Sequence, residues 1–278
     1  MQTGISYCFL LGWLLCSCSE TKSNHNQSIQ DTAAVLLQQD STSVFTTTAL
    51  VEDTTVRFDM SEVPSEPDTK IKILEIGNFH NNEVWKGADN KQWYGLFQTT
   101  TGYYVKKTIV QVKTVYDALL DTKYVWSGKQ VSVSDKDTCL LLITGISLPE
   151  RNIDTVVMSQ KTIWPSEKIS FTVDSITYTL RATGKRQKIS NEVSDYRLYI
   201  SIIKDGVEKQ QLLVVHDVFD DTMTVVMWVG DLDGDYKPDA IIDVSNHYNN
   251  HRPALFLSGE ASEKEIMKKV AEFSQLGC

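Results

Sequence analysis

Glycine and proline are scarce in this chain, 14 and 6 of 278 residues, and basic residues are outnumbered, 27 Lys and Arg against 36 Asp and Glu. So little glycine and proline excludes a collagen-like chain. The deficit of positive charge, a net −9 at pH 7, argues against electrostatic attachment to nucleic acid or anionic lipid, which needs basic surface. No apolar run reaches the roughly 20 residues that a membrane-spanning helix requires, so a polytopic membrane protein is excluded too. Nucleophile and metalloprotease signatures are also missing: there is no G-x-S-x-G, no H-E-x-x-H and no S-x-x-K in a catalytic setting. No segment recurs at a fixed period, which disfavours a complete propeller or a solenoid. What is present, 41% hydrophobic residues, suffices for a globular core in one or two domains.

The N-terminus reads as an address. Ile5 to Leu15 is an apolar run followed at once by Leu15-Cys16-Ser17-Cys18 and then by polar sequence. A short apolar core ending in small residues has the form of a secretory signal. The last four residues resemble the lipobox of bacterial lipoproteins, with Leu15 at −3, Ser17 at −1 and Cys18 as the residue lipidated after cleavage. The resemblance implies acyl chains on Cys18 and a mature protein held at a membrane of the bacterial cell envelope, the outer membrane in particular. A plain cleaved signal stays open beside it, because Cys16 stands where the lipobox has a smaller residue and no Lys or Arg precedes the apolar run.

Past the expected signal at 1–17, residues 18–65 are rich in Ser, Thr, Asn and Gln up to about Thr55. Such a stretch cannot offset its ordering entropy by burial, and the expectation is a disordered tether. From about residue 66 to 278 the sequence changes to short runs of Val, Ile, Tyr, Thr and Phe, the strand signal. Trp93–Phe97 and Tyr103–Val105 flank Thr99-Thr100-Thr101-Gly102 as a hairpin. Ile169, Phe171 and Val173 alternate with polar residues, and after Asp174-Ser175 the apolar parity shifts to Ile176, Tyr178 and Leu180, the mark of a tight turn between paired strands. Further strands are expected at Arg197–Ile203, Gln211–His216, Thr222–Val229, Asp239–Val244 and Ala254–Leu257. Ser262 with Glu265 forms a capping box, and Ile266, Val270 and Phe273 recur at helical spacing, with Gly277 placed as C-cap. The spacing therefore predicts a C-terminal amphipathic helix, and a shorter one at Tyr116–Leu120. The expected fold is a β-rich α+β domain of antiparallel strands, undivided unless a break falls near 148–153.

One stretch carries chemistry. Asp231-Leu232-Asp233-Gly234-Asp235-Tyr236-Lys237-Pro238-Asp239 sets carboxylates at positions 1, 3, 5 and 9 around a glycine turn. Calcium takes 6–8 hard oxygen ligands at about 2.3–2.6 Å, and such spacing wraps one ion. Magnesium prefers to keep several waters, and zinc would want Cys or His, which the loop lacks. The stretch resembles the DxDGDxxxD calcium loops of FG-GAP and VCBS repeats and of integrin α-type propellers, and more loosely EF-hand and dockerin loops. That resemblance implies calcium held by Asp231, Asp233, Asp235, the Lys237 carbonyl and Asp239. Position 12 is Ile242 rather than a bidentate Glu, Tyr236 stands where the repeats have Gly, and there is one copy. An acidic surface turn without metal is the alternative reading. Of the net charge, the stretch 217–243 holds eight Asp and one Lys, or −7, leaving −2 for the rest. The acidity is mostly local to this region. The segment from Asn246 to Asn249 and the ending Leu276-Gly277-Cys278 look like a group of uncharacterised bacterial proteins, a likeness that implies no activity.

Other candidates are weaker. Asp243, His247 and His251 are spaced four apart, which would share a face on a helix, but Arg252-Pro253 and the intervening Asn pair read as loop. Cys139 and Cys278 are the cysteines left beyond the leader, and a disulfide between them is open in an oxidising compartment; a buried Cys139 thiol is the alternative. Cys139 with His216 would make a thiol–imidazole pair, which nothing in the sequence brings together. Trp85, Trp93, Tyr94, Tyr103, Tyr104 and Trp126 crowd aromatics into about forty residues, as core or as a stacking surface for sugars. The expectation is a lipid-anchored, extracytoplasmic binding or interaction module with one structural calcium, more a binder than an enzyme, with no nucleic-acid partner and an unidentified protein or glycan partner. A surface hydrolase or carbohydrate-binding protein is the alternative.

Overall fold

The computed structural model describes residues 57–61, 64–67 and 69–277. The expected leader, Cys18, most of the expected tether and Cys278 lie outside the described residues. Within them, β-branched and aromatic residues at period two set most of the chain into strands. The first part gives β1 (Arg57–Ser61), β2 (Lys72–Leu74), β3 (Gly77–Phe79), β4 (Trp93–Gln98) and β5 (Tyr103–Thr108). It continues through β6 (Val110–Val115), β7 (Gly128–Val133), β8 (Thr138–Thr144) and β9 (Arg151–Ile153). A short strand, β10 (Lys168–Val173), and three long ones follow, β11 (Ile176–Arg186), β12 (Val193–Lys204) and β13 (Val207–Val218). The last part is β14 (Val225–Gly230), β15 (Asp239–Asp243), β16 (Asn250–His251), β17 (Pro253–Leu257), β18 (Lys268–Glu272) and β19 (Gln275–Leu276).

These strands make five sheets and no closed barrel among the described residues: β1-β13-β12-β11-β10, β2-β8-β4-β5-β9, β3-β7-β6, β14-β15-β17-β18 and β16-β19. Pairing is antiparallel except where β1 runs parallel to β13. Arg57–Ser61 therefore contributes a strand from within the stretch expected as tether. The Asp174-Ser175 turn works as the parity shift implies. Both residues are left-handed, φ 44° and 67°, the signature of a two-residue primed turn. Val173 then pairs with Ile176, Phe171 with Tyr178 and Ile169 with Leu180, which sets odd and even apolar positions on one face.

The four-stranded sheet β14-β15-β17-β18 is covered on both faces. Ile241, Leu255 and Leu257 join the core of the β2-β8-β4-β5-β9 sheet, with Trp93, Leu96 and Leu141. Their neighbours Ala240, Ile242, Ala254 and Phe256 point the other way, into the core of the long strands with Tyr196, Leu198 and Ile200. Burial on both sides is why Ala240-Ile241-Ile242 and Ala254-Leu255-Phe256-Leu257 read as continuous apolar runs rather than alternating ones. The stretch 148–153 does not divide the chain: β9 pairs with β5, Thr155 bridges to Gly230, and Asp53–Cys278 forms one compact unit.

The expected C-terminal helix is absent, and so the α+β expectation holds only in its strand-rich part. Half of the capping box forms locally: Ser262 donates to Glu265 Oε2 through its backbone N, 3.1 Å, and through Oγ, 2.9 Å, while Glu265 N donates to the Ser262 carbonyl, 3.0 Å. It closes one turn and stops. The backbone N–H groups of Ile266 and Met267 donate to Gln211 Oε1 at 2.6 and 3.1 Å. Gln211 Nε2 in turn donates to Met267 O. From Lys268 the chain pairs with β17 as β18. A helix this short is marginal on its own, whereas the strand completes the edge of β17 and still buries Val270 and Ala271. Tyr116–Leu120 is likewise a turn, closed by one bond from Asp121 N to Asp117 O, 2.9 Å.

Candidate metal centre

The acidic loop joins β14 to β15, and the register of that pair ends at Gly230 opposite Asp239. The first and last carboxylates of the motif are therefore fixed by strand ends rather than by the loop alone. Gly234 and Tyr236 both take left-handed backbone, φ 88° and 65°. For Tyr236 that conformation costs about 1 kcal/mol against the same residue in an ordinary region, and the loop holds it by a bond from Tyr236 N to Asp231 Oδ2, 3.2 Å.

Three carboxylates converge. Oxygens of Asp231, Asp233 and Asp239 all lie within 4.8 Å of one another. Two ligands on opposite sides of an ion at about 2.4 Å stand about 4.8 Å apart, so the spacing is that of a shared calcium shell. Asp239 is fully buried. Burial and the charge of Asp233 push its carboxyl up to about 8. Three backbone donors hold it in place, Leu232 N at 2.7 Å and Asp233 N at 3.2 Å on Oδ2 and Ser258 N at 2.7 Å on Oδ1, and the one Ser258 hydroxyl proton is shared between Asp239 Oδ1 and Asp235 Oδ1, each 3.0 Å away. Asp233 is also raised, by burial first and then by Asp235.

Asp235 does not belong to the converging set. Its Oδ1 accepts from Lys237 N, 2.9 Å, and Ser258 Oγ, 3.0 Å, and its Oδ2 faces Lys237 Nζ at 3.1 Å. Lys237 itself is exposed. Of the expected carboxylates, Asp231, Asp233 and Asp239 converge, while Asp235 pairs with the backbone N and Nζ of Lys237; those bonds do not involve the Lys237 carbonyl, which is the expected ligand there.

Three residues at the site were not singled out from the sequence. Arg151 on β9 reaches Asp231 Oδ2 at 2.8 Å and also donates to the Asp231 carbonyl. Ser258, just past β17, bridges Asp235 and Asp239. Gly259 follows, and a Cβ there would stand 2.3 Å from Asp233 Oδ2, so the close approach requires glycine. Their only sequence signal is a Ser-Gly pair after an apolar strand, because the strand pairings β15–β17 and β5–β9 bring them in.

The other candidates are placed as follows. His251 lies between two carboxylates, Nδ1 at 2.8 Å from Asp243 and Nε2 at 3.0 Å from Glu75. Hydrogen bonds to Asp243 and then Glu75 raise it to about 10. Burial alone would raise Asp243, but bonds from His251, Ser245 and Arg252 bring it down to about 2. His247 is turned to Asp220, 2.9 Å. Cys139 is a free buried thiol on β8, pushed up to about 12 by burial. It lies in a different sheet and core from His216, on β13. Trp93 and Tyr94 are buried core residues, and Trp85, Tyr103 and Tyr104 pack against that core, leaving Trp126 exposed. Trp85 is flanked by Lys72 at 4.9 Å and Trp93 at 5.7 Å.

No helix of the described residues is long and apolar enough to cross a membrane. Comparison with protein-family models, with curated proteins and with solved structures finds no match.

Proposed function

We propose that the chain is a lipid-anchored, extracytoplasmic binding module in which one calcium ion, held by Asp231, Asp233 and Asp239, locks the β14–β15 loop against β17. The single observation that carries the ion is the convergence of three carboxylates within 4.8 Å around a fully buried Asp239. Uncompensated buried charge is expensive, and Arg151 reaches only Asp231 among the three. An oxygen-only set of side chains favours calcium over zinc or copper. The role is structural: the ion would tie the end of β14, the start of β15 and, through Ser258 and Gly259, the end of β17 into one unit. Support for the anchor comes from the Leu15-Cys16-Ser17-Cys18 stretch, and for a cell-envelope, outer-membrane location from the same signal.

The test is thermal unfolding of the purified protein with calcium and with EDTA. Calcium should raise Tm and EDTA lower it, and Asp233→Ala should remove the difference. Equal melting in both reagents would overturn the ion. Mass spectrometry of the membrane fraction tests the anchor separately: an acylated N-terminal Cys18 is expected, and a non-acylated N-terminus would leave a plain cleaved signal.

A further inference from the structure

The loop between β6 and β7, Tyr116 to Ser127, is built unlike the other turns. Tyr116, Leu119, Leu120, Tyr124, Val125 and Trp126 are each between 50% and 86% exposed. Scattered exposed apolar side chains need no explanation, but six within eleven residues form a patch of the kind that marks an interaction site. The loop's two acids do not share that outer surface. Asp117 is buried, paired to His80 Nδ1 at 2.6 Å, and Asp121 is half-buried. Lys123 is the one charged residue exposed on it.

Those two carboxylates close the loop's backbone from within. Asp117 Oδ1 accepts from Leu119 N, 3.0 Å, and from Leu120 N. Asp121 Oδ2 accepts from Asp117 N and Ser127 N, both 2.7 Å, and Asp121 Oδ1 accepts from Ser127 Oγ. Asp121 N donates to Asp117 O, 2.9 Å, and Val125 N to Thr122 O, 3.2 Å. Tyr116 and Trp126 pack edge to face across the loop at 6.3 Å. The loop thus leaves its apolar side chains exposed while six of its backbone amides, those of Asp117, Leu119, Leu120, Asp121, Val125 and Ser127, are paired within it.

We infer that this loop is a membrane-insertion tip that enters the interfacial zone of a lipid bilayer through Leu119, Leu120, Tyr124, Val125 and Trp126. Two features select lipid over a protein or glycan partner. Entry into an apolar phase demands that backbone donors be paired internally, and the donors of Asp117, Leu119, Leu120, Asp121, Val125 and Ser127 are. The side chains are also those of the membrane–water boundary: Trp and Tyr with apolar bodies and polar tips, leucines between them, and one exposed Lys. Lys123 Nζ sits 5.6 Å over the Tyr124 ring. Attachment is apolar rather than electrostatic, in keeping with a net charge of −9, and it needs no lipid on Cys18.

The experiment uses the full chain with Cys18→Ser, so that no acyl chain contributes, and zwitterionic phosphatidylcholine vesicles. Wild-type loop and Leu119→Ser/Leu120→Ser are compared in that background by vesicle sedimentation, where the apolar leader contributes equally. The double variant should partition at least about tenfold more weakly, since burying as few as two CH₂ groups at about 0.8 kcal/mol each already accounts for that factor. Quenching by brominated lipid is read in Trp126→Phe against the parent, and the difference assigns quenching to Trp126. Because these side chains are exposed, Tm should hold, and Tyr124→Ser provides a second variant on the same surface. Equal partitioning of all loop variants, or equal quenching with and without Trp126, overturns the inference. An unchanged calcium response in every loop variant keeps this result separate from that of the metal centre.

Discussion

Asp239 makes the metal centre testable by pH as well as by chelation. In the metal-free protein its carboxyl is raised to about 8, against an ordinary aspartate near 3.9 once unfolded. The folded state therefore holds a proton that the unfolded state has released, and stability falls as pH rises from about 4 to about 8. The gap corresponds to a loss on the order of 5 kcal/mol, at 1.36 kcal/mol per unit. In the proposed centre, calcium would replace that proton. With an affinity on the order of 10⁻⁴ M, 10 mM calcium is about 100 Kd and adds about 2.7 kcal/mol. At about 2–4 °C per kcal/mol for a domain of this size, Tm should rise by about 5–10 °C at pH 8. Near pH 5 the proton competes and the rise should shrink. Differential scanning calorimetry at both pH values, with calcium and with EDTA, reads this directly. Asp233→Asn sharpens it, since two charges within 4.8 Å of each other repel by about 3 kcal/mol or more at an effective dielectric of 20. In EDTA at pH 8 the variant should melt no lower than the parent, while its calcium response disappears. A calcium shift of the same size at pH 5 and pH 8, or an Asp233→Asn protein destabilised equally in both reagents, would refute the reasoning.

Gly259→Ala should lower Tm in calcium by several degrees and blunt the calcium response, because the new Cβ falls 2.3 Å from Asp233 Oδ2; an unchanged response would mean that Asp233 is free to move. Gln211→Ala orphans the donors of Ile266 and Met267 and the Met267 carbonyl, and urea unfolding should show a loss of about 3 kcal/mol. The His251 interaction with Asp243 and Glu75 is present in full below about 6.5 and is lost as pH rises through about 10. Asp243 adds stability above about 3.9 that is lost as pH falls through about 2. Replacing His251 with Gln should therefore flatten the decline of Tm between pH 7 and pH 10, and a decline as steep as in the parent would assign it elsewhere.

The hairpins were legible because their signals are local. The parity shift across Asp174-Ser175 and the Thr99–Gly102 turn between aromatic strands are each fixed by residues within ten positions of one another. The acidic cluster was legible for the same reason: Asp231, Asp233 and Asp239, whose carboxylates converge, lie within nine residues of one another. The same stretch includes Asp235, which the structure pairs with Lys237, two residues away, and with Ser258 from the end of another strand.

The C-terminal segment shows the opposite case. Ser262 and Glu265 make the contact that the sequence specifies, yet the helix does not extend, because a free edge at β17 and the amide of Gln211 offer more pairing than an isolated short helix can. Of the apolar positions at i, i+4 and i+7, Val270 is buried within β18, while Ile266 and Phe273 are buried in the segments that flank it. By itself, then, the sequence determined the strand-rich class, the two-residue turns and the position of the acidic loop, all of which depend on neighbours along the chain. Only the tertiary structure decided that Arg151, Ser258 and Gly259 close around that loop, that the last segment is a strand, and that the β6–β7 loop holds its apolar side chains outward. Each of these depends on partners brought together across the chain or on which side of a loop its own acids turn, and residue order alone records neither.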